Sequence, residues 1–325
     1  MNLSQCPPYT SSYHPTKDDR AQELITFSSI PPILSAEDQK QYEQIPCPFC
    51  KSYAAKVFRQ SADIVQCQKC SVVYLRTRLN DIALEKLYQG YAEEQSYMHL
   101  PKNLEEAKRC SVRRINNMKE MLQFIKPEGI LLDVGCGWGP FLLTAQEFGF
   151  TPMGVELTKK SVQYANEVLK FSVASTQFLD THYEPESISV VTMFHVLEHL
   201  THPEEVFKKI YRILKPRGMF CGMVPNIESF YSTTLKEKWA WLDSSYHYMH
   251  YSPATLSKHL EASGLKIEHI YTRSRGYPDL RETVEALYPE LKDNIRYKTW
   301  LRGQERSGHG EGIHFFARKP SHKSQ

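Results

Sequence analysis

At 325 residues the chain is long enough for one sizeable hydrophobic core plus a small module. Its 41% hydrophobic and 24% charged residues are ordinary for a soluble globular protein, and a net charge of +3 is too small by itself to specify a nucleic acid or an acidic membrane as partner. There is no apolar run of about 18 residues, so no membrane-spanning helix is predicted, and MNLSQCPPYTSSYHPTKDD lacks the apolar stretch of a secretory signal. A cytoplasmic protein is expected, with its eight cysteines reduced or metal-bound and not a disulfide framework.

Residues 1–45 scatter Pro, Ser and Thr and read as a loose arm, with a short helix predicted at Ala36 to Gln44. Residues 46–80 hold two cysteine pairs, CPFC and CQKC, spaced C-x2-C-x16-C-x2-C. Paired knuckles at this distance predict a zinc ribbon with Cys47, Cys50, Cys67 and Cys70 as ligands. Four thiolates close a tetrahedral site and leave no position for water, so such a zinc is structural. Short β-like runs accompany the knuckles at Ala54 to Arg59, Ile64 to Gln66 and Val72 to Leu75. The module is basic: Lys51, Lys56, Arg59, Lys69, Arg76 and Arg78 stand against Asp63 alone. That pattern fits either a nucleic-acid footprint or a solvated face. Residues 81–126 read as a helical linker or lid, with helices at Asp81 to Tyr88 and Leu104 to Ile125 and a stop at Pro127-Glu128-Gly129.

From 127 to 319 strand and helix signals alternate, before a tail at 320–325. Strands are predicted at Ile130 to Val134, Thr151 to Val155, Ser172 to Ala174, Ile188 to Phe194, Met219 to Val224, Leu265 to Tyr271 and Ile313 to Arg318. The intervening helices are about ten residues long. This is the pattern of an α/β protein with a doubly wound, mostly parallel seven-stranded sheet, Rossmann-like, covered on both faces.

The first of these strands runs into DVGCGWG. A dinucleotide fingerprint has its third glycine five residues after the first. Here Gly135, Gly137 and Gly139 alternate, and Pro140 follows. No Lys-Ser/Thr pair follows, which excludes a phosphate loop of the nucleotide-triphosphate kind. Asp133 suits a cationic amine and is awkward beside a pyrophosphate. Glu156, at the end of the second strand, can accept hydrogen bonds from ribose hydroxyls. S-adenosylmethionine fits a ligand with a ribose and an amine but no diphosphate. Cys136, inside the loop, reads as a small filler.

With those residues in place, the stretch from Tyr91 to Lys319 resembles class I S-adenosylmethionine-dependent methyltransferases. ILLDVGCGWGPFL is similar to their first motif, GVE to the end of their second strand, VVTMFHVLEHLTHPEEVFKKIYRILKPRGMF to their fourth strand through the turn before the fifth, and EGIHFFARKP to their antiparallel last strand. HVLEHL resembles the branch holding ubiquinone-biosynthesis O-methyltransferases and bacterial sugar methyltransferases. The cysteine module, followed by LEKLYQGYAEEQSY, is similar to the N-terminal zinc module of the sugar enzymes. The resemblance implies that Thr176, Phe194 and His195 flank the cofactor. It implies too that Tyr88, Tyr91 and Tyr97 close over the site. Two departures stand out: Ile188-Ser189 replaces a frequent Phe-Asp, and Ser175-Thr176-Gln177 replaces an acidic residue toward the adenine.

A hydroxyl acceptor needs a base, and two histidine groups offer one. The first is His195-Val196-Leu197-Glu198-His199, where Glu198 and His199 read equally well as braces for the next helix. The second follows the fifth strand, where His247, Ser252 and Pro253 match the family's H-x-x-x-x-S-P segment. His247 is the first choice for a base and His199 the second. The expected acceptor is a small molecule: a sugar, a nucleotide-sugar or a quinone-like compound. An RNA methyltransferase using the basic ribbon is the alternative, opposed by the absence of an Asn/Asp-Pro-Pro-Tyr tetrapeptide after the fourth strand. A non-catalytic scaffold is the third reading. Oligomeric state and the role of residues 278–306 are not legible.

Overall fold

The computed structural model describes residues 41–59, 63–80, 83–84, 100–239, 241–242, 247–274 and 303–321. The first strands build the cysteine module. β1 (Tyr42–Gln44) pairs antiparallel with β5 (Thr77–Leu79), and β2 (Ala55–Arg59), β3 (Ile64–Cys67) and β4 (Val73–Leu75) form an antiparallel run. Every residue of β4 is buried, so this small sheet is covered and not free on one side.

Two short helices follow, α1 (Leu104–Ser111) and α2 (Ile115–Met121). Then come β6 (Ile130–Val134), α3 (Pro140–Glu147), β7 (Thr151–Glu156), α4 (Lys159–Glu167), β8 (Ser172–Ser175), β9 (Ile188–Phe194), α5 (Pro203–Ile213), β10 (Leu214–Pro225), α6 (Phe230–Leu235), β11 (Met249–His250), α7 (Pro253–Ala262), β12 (Lys266–Arg273) and β13 (Gly312–Arg318). Seven strands form the main sheet in the order β12-β13-β10-β9-β6-β7-β8. β13 runs antiparallel to both neighbours, while β10, β9, β6, β7 and β8 pair in parallel. The chain steps outward from β6 to β8 and returns to β9 on the other side of β6. The cleft above β6 and β9 is therefore the switch point where α/β sheets bind ligands. β9 is buried along nearly its whole length, as a strand covered on both faces must be. Among the described residues no helix is long and apolar enough to cross a membrane.

The module is joined to this sheet through β11, which adds antiparallel to β4 with Met249 opposite Tyr74 and His250 opposite Val73. Cys47, Cys67, Cys70, Val65, Val72 and Tyr74 share one buried cluster with Val191, Phe207, Leu256 and Phe315. The ribbon and the α/β unit thus share a core.

Four expectations are corrected. Tyr42–Gln44 is a strand, not the end of a helix, because β5 offers it a partner. The helix expected from Leu104 to Ile125 is interrupted by a 3-10 turn at Val112–Arg114. The Thr144 hydroxyl reaches the Ser111 carbonyl at 3.4 Å there, drawing it out of the helical ladder. Glu198 and His199 lie in a 3-10 turn (Leu197–His199) and cap nothing, since α5 starts after His202 with no side-chain cap. Cys110, half-buried on α1, is disulfide-bonded, so the cysteines are not all reduced. The helix expected at Asp81 to Tyr88 lies outside the described residues apart from Ala83 and Leu84, as do Tyr88, Tyr91, Tyr97 and most of 278–306.

Gly222 tests the central pairing. A Cβ there would stand 1.9 Å from the Met193 carbonyl oxygen and 3.0 Å from the Phe315 ring. Gly222→Ala is expected to cost about 3 kcal/mol or more, read as a lower urea midpoint. An unchanged midpoint would mean that β9 and β10 approach less closely than this.

Candidate functional site

The glycine loop is shaped by left-handed backbone. Gly135, Gly137 and Gly139 have φ of 72°, 56° and 94°, a region costly for residues with a Cβ. A Cβ on Gly135 would come within 2.5 Å of Val196 Cγ2. The loop after β6 is therefore pressed against the segment after β9. Cys136 packs inward against β7, where a Cβ on Gly154 would lie 2.6 Å from its Sγ. Burial, with smaller contributions from Glu156 and Asp133, pushes its thiol well above the ordinary range, as an inert filler requires.

Two carboxylates flank the loop. Asp133 is 4% exposed and its Oδ1 accepts from the Thr192 hydroxyl at 2.6 Å. Burial pushes its pKa up to about 7, against the opposing Thr192 hydrogen bond. Glu156 bends back over its own strand end. Its Oε1 accepts from Leu157 N and Thr158 N, both at 2.8 Å, and its Oε2 from Gly137 N at 2.9 Å. Thr176 lies half-buried in a bend just after β8. Phe194 ends β9, with its ring edge-on to Phe141 at 4.9 Å.

The histidines converge on Glu198. Glu198 is 1% exposed. Its Oε1 lies 3.1 Å from His195 Nδ1. Burial alone would raise its pKa, but the His195 hydrogen bond and the charges of His195, His199 and His247 outweigh it and hold the carboxyl down at about 2. His195 reaches it from a left-handed backbone, φ 57°, pinned by its N–H donating to Met223 O at 2.9 Å. Such backbone persists where surrounding contacts enforce it. His247 and His199 meet edge-to-face at 4.7 Å. Trp241 lies between two imidazoles, parallel to His195 at 5.3 Å and to His247 at 6.0 Å. His247 Nδ1 is 2.8 Å from the Trp241 carbonyl, so Nδ1 is the protonated nitrogen and Nε2 carries the lone pair. Tyr248 N donates to Glu198 O at 2.8 Å, which ties the two histidine segments together.

The structure thus brings Asp133, the glycines and Glu156 to one edge of the cleft. Phe194 packs on Phe141 of the helix that follows the glycine loop, and His195 joins the Glu198 cluster. Sequence reasoning singled out every histidine here but missed the central place of Glu198 and the role of Trp241. The i, i+3 spacing of His195 and Glu198 was the available signal, but the sequence pattern offers bracing of the next helix by Glu198 and His199 equally with a part in catalysis. His250, next to this cluster, is buried and its pKa is lowered to about 3, first by burial and then by His247, so it stays neutral.

The cysteines form a second centre. The two knuckles are copies: Lys51 and Ser71, each just after its second cysteine, have φ of 58° and 69°. Their N–H groups return to Cys47 O at 2.9 Å and Cys67 O at 3.0 Å. The four sulfur atoms lie within 4.8 Å of one another, with Cys47–Cys70 and Cys50–Cys67 each 3.4 Å apart. Bonds of about 2.3 Å to a tetrahedral Zn²⁺ separate sulfurs by about 3.8 Å, so the set fits that ion. Phe49 of the first knuckle stacks on His259 of α7 at 3.6 Å.

A main sheet in which one antiparallel strand is inserted beside the edge, with a glycine loop after its first strand and an acidic end to its second, defines a class I methyltransferase fold. The chain belongs to the methyltransferase-domain family, whose match covers residues 105–270. A ubiquinone biosynthesis O-methyltransferase of Pseudomonas fluorescens is 31% identical over 94 residues, 27% of this chain and 40% of that enzyme. Its counterpart from Proteus mirabilis is 26% identical over 139 residues, 41% and 53% of the two. The chain therefore spans only about half, or less, of the length of these relatives. Geranyl diphosphate C-methyltransferase of Streptomyces coelicolor A3(2) has a similar fold, with a TM-score of 0.50 at 16% identity over 72% of this chain and 97% of its own.

Two outcomes follow from these geometries. Cys47→Ser should lose one equivalent of zinc and, because the ribbon shares the main core, lower the single melting transition of the whole chain. Separate melting of a small module would contradict that shared core. Glu198 has a depressed pKa, so its stabilising contribution is present above its ordinary value of 4.5 and is lost as pH falls through about 2. Wild type should exceed Glu198→Gln in stability above pH 4.5, with the difference closing toward pH 2, as acid denaturation curves would record.

Proposed function

We propose that this chain transfers a methyl group from S-adenosylmethionine to an oxygen of a small-molecule acceptor, such as a sugar, a nucleotide-sugar or a quinone-like compound. One observation carries the reading. The glycine loop with its two carboxylates touches, through Gly135 and Val196, the segment that carries the Glu198–histidine cluster. Likeness to enzymes named for ubiquinone O-methylation supports an oxygen acceptor.

In this reading Glu156 meets the ribose. Its Oε1 already takes two N–H groups, so Oε2, with one lone pair left, is the acceptor for a ribose hydroxyl. Asp133 faces the amine. The backbone of the glycines allows close approach, and Thr176 lies toward the adenine. Phe194 and His195 form the wall between cofactor and acceptor. When bound, the cofactor supplies an electrophilic methyl on a sulfonium. The protein contributes alignment and, through His247 or His199, assistance in removing the acceptor's proton. His247 is suited to this because Nε2 is its unprotonated nitrogen.

The ribbon's charge does not favour RNA. Arg76 pairs with Asp63 at 2.6 Å, the buried Arg78 with Glu43 at 3.0 Å, and Lys51 with Pro48 O at 2.7 Å. Arg59 lies over Phe58 and reaches Ser232 O.

Calorimetry with S-adenosylmethionine tests the cofactor site. Asp133→Ala and Glu156→Ala should each weaken binding by about 1.5–3 kcal/mol. Since burial holds the Asp133 pKa near 7 and a cation beside it would lower that value, binding should release a proton and tighten as pH rises through 7. His247→Asn should leave affinity unchanged and slow methyl transfer to a panel of sugars, nucleotide-sugars and quinols by roughly 10²–10⁴-fold. Full affinity in both carboxylate variants would remove the cofactor from this cleft.

A further inference from the structure

Glu198 has an unmet demand. Its Oε1 is held by His195, yet its Oε2 is fully buried and has no hydrogen-bond partner. A buried anionic oxygen without a donor is costly. The nearby groups with nitrogen donor atoms are imidazoles: one ring nitrogen each from His199 and His247 lies with a Glu198 oxygen in a group spanning at most 4.8 Å. We infer that Glu198, His199 and His247 bind a divalent first-row transition-metal ion, distinct from any ion in the thiolate quartet.

The geometry fits such an ion. Bonds of about 2.1 Å to a tetrahedral ion place its donors about 3.4 Å apart; the three donors here lie no more than 4.8 Å from one another, so the widest pair closes by at most about 1.4 Å, within reach of side-chain rotation. The second contacts are those that prepare ligands. The Trp241 carbonyl fixes His247 with Nε2 as the unprotonated nitrogen, and His195 Nδ1 on Oε1 orients the Glu198 carboxylate and leaves Oε2 for the ion. Trp241 stacked between His195 and His247 holds both rings in place. Two imidazoles and one carboxylate suit Mn²⁺, Fe²⁺, Co²⁺ or Zn²⁺ and are a poor match for Mg²⁺ or Ca²⁺, which favour oxygen.

Three protein ligands leave coordination positions for oxygen. This deepens the methyltransferase reading and rests on it: the acceptor is a hydroxyl with a neighbouring oxygen, as in a vicinal diol or a catechol, able to chelate. With the ion bound, the Nε2 lone pair of His247 is given to the metal, and the ion takes over from the imidazole the task of acidifying the acceptor hydroxyl.

Mn²⁺ is the probe, because a thiolate quartet does not favour it. Full-length protein is titrated with Mn²⁺ by electron paramagnetic resonance, and the zinc content of metal-saturated protein is measured in parallel. The expected result is one Mn²⁺ per chain, and two zinc ions per chain after saturation with zinc. Glu198→Gln and His247→Ala should each weaken Mn²⁺ at least tenfold and reduce zinc to one, while Mn²⁺ raises the melting temperature of wild type alone. Wild type that takes up no Mn²⁺ and no more than one zinc, yet still binds S-adenosylmethionine, overturns the ion and leaves the methyltransferase reading intact. Mn²⁺ bound equally by wild type and by both variants places the ion elsewhere and also overturns the proposal. Loss of S-adenosylmethionine binding in wild type would instead strike at the methyltransferase reading, whatever the Mn²⁺ result.

Discussion

The backbone of Tyr248 is the joint on which the site depends. Its N–H donates to Glu198 O at 2.8 Å, and its carbonyl accepts from Leu75 N at 3.0 Å. Leu75 ends β4 of the cysteine module, and Glu198 belongs to the turn after β9. One residue thus bridges the ribbon and the α/β unit, with His247 immediately before it and β11 immediately after. A metal in the thiolate quartet would act here without touching a substrate. By holding β3 and β4 in shape it would fix the strand that delivers His247. Distance from the chemistry does not make such a site idle, since small misplacements of a reacting group cost much of its effect.

The glycine-loop half of the candidate site was legible as a unit because its signals are local. Alternating glycines, a carboxylate two residues before them and another at the end of the next strand fall within 24 residues, Asp133 to Glu156. The backbone angles of Gly135, Gly137 and Gly139 then follow from having no Cβ. The sheet type, mostly parallel and covered on both faces, was legible from the alternation of strands and helices and the apolar run of β9; the strand order was not. The histidine cluster was only partly legible. His195, His199 and His247 were all named, but β11 has two residues and no periodicity to detect. The bond that makes Glu198 central depends on His195 adopting a positive φ that few non-glycine residues take. The break in the first helix depends on Thr144, which lies 33 residues from the carbonyl it meets.

Charge composition left two readings of the ribbon open for a related physical reason. Counting six cations against one Asp63 treats the module as if it were alone in water. In the fold it is one face of a shared core, and its cations look inward or along the surface to Asp63, Glu43, Pro48 O and Ser232 O. Lys51, Lys56 and Lys69 remain exposed, half of the six residues that made the ribbon look basic.

Two buried carboxylates divide the cleft between them, and their environments push them in opposite directions. Asp133, whose Oδ1 faces the neutral Thr192 hydroxyl, is raised by burial to about 7, so it becomes fully anionic only when a cation arrives. Glu198, ringed by imidazoles, is held at about 2 and is anionic throughout the physiological range. Such divergence between neighbouring acids commonly assigns their roles. The first suits transient recognition of a cationic cofactor group, whose departure lets the proton return. The second is a permanent charge, which only imidazolium or a metal ion can balance in so buried a place. The glycine loop that presses on Val196 keeps these two electrostatic regimes adjacent but separate. A methyl group moving from one side to the other would leave a region adapted to lose positive charge for one adapted to hold it.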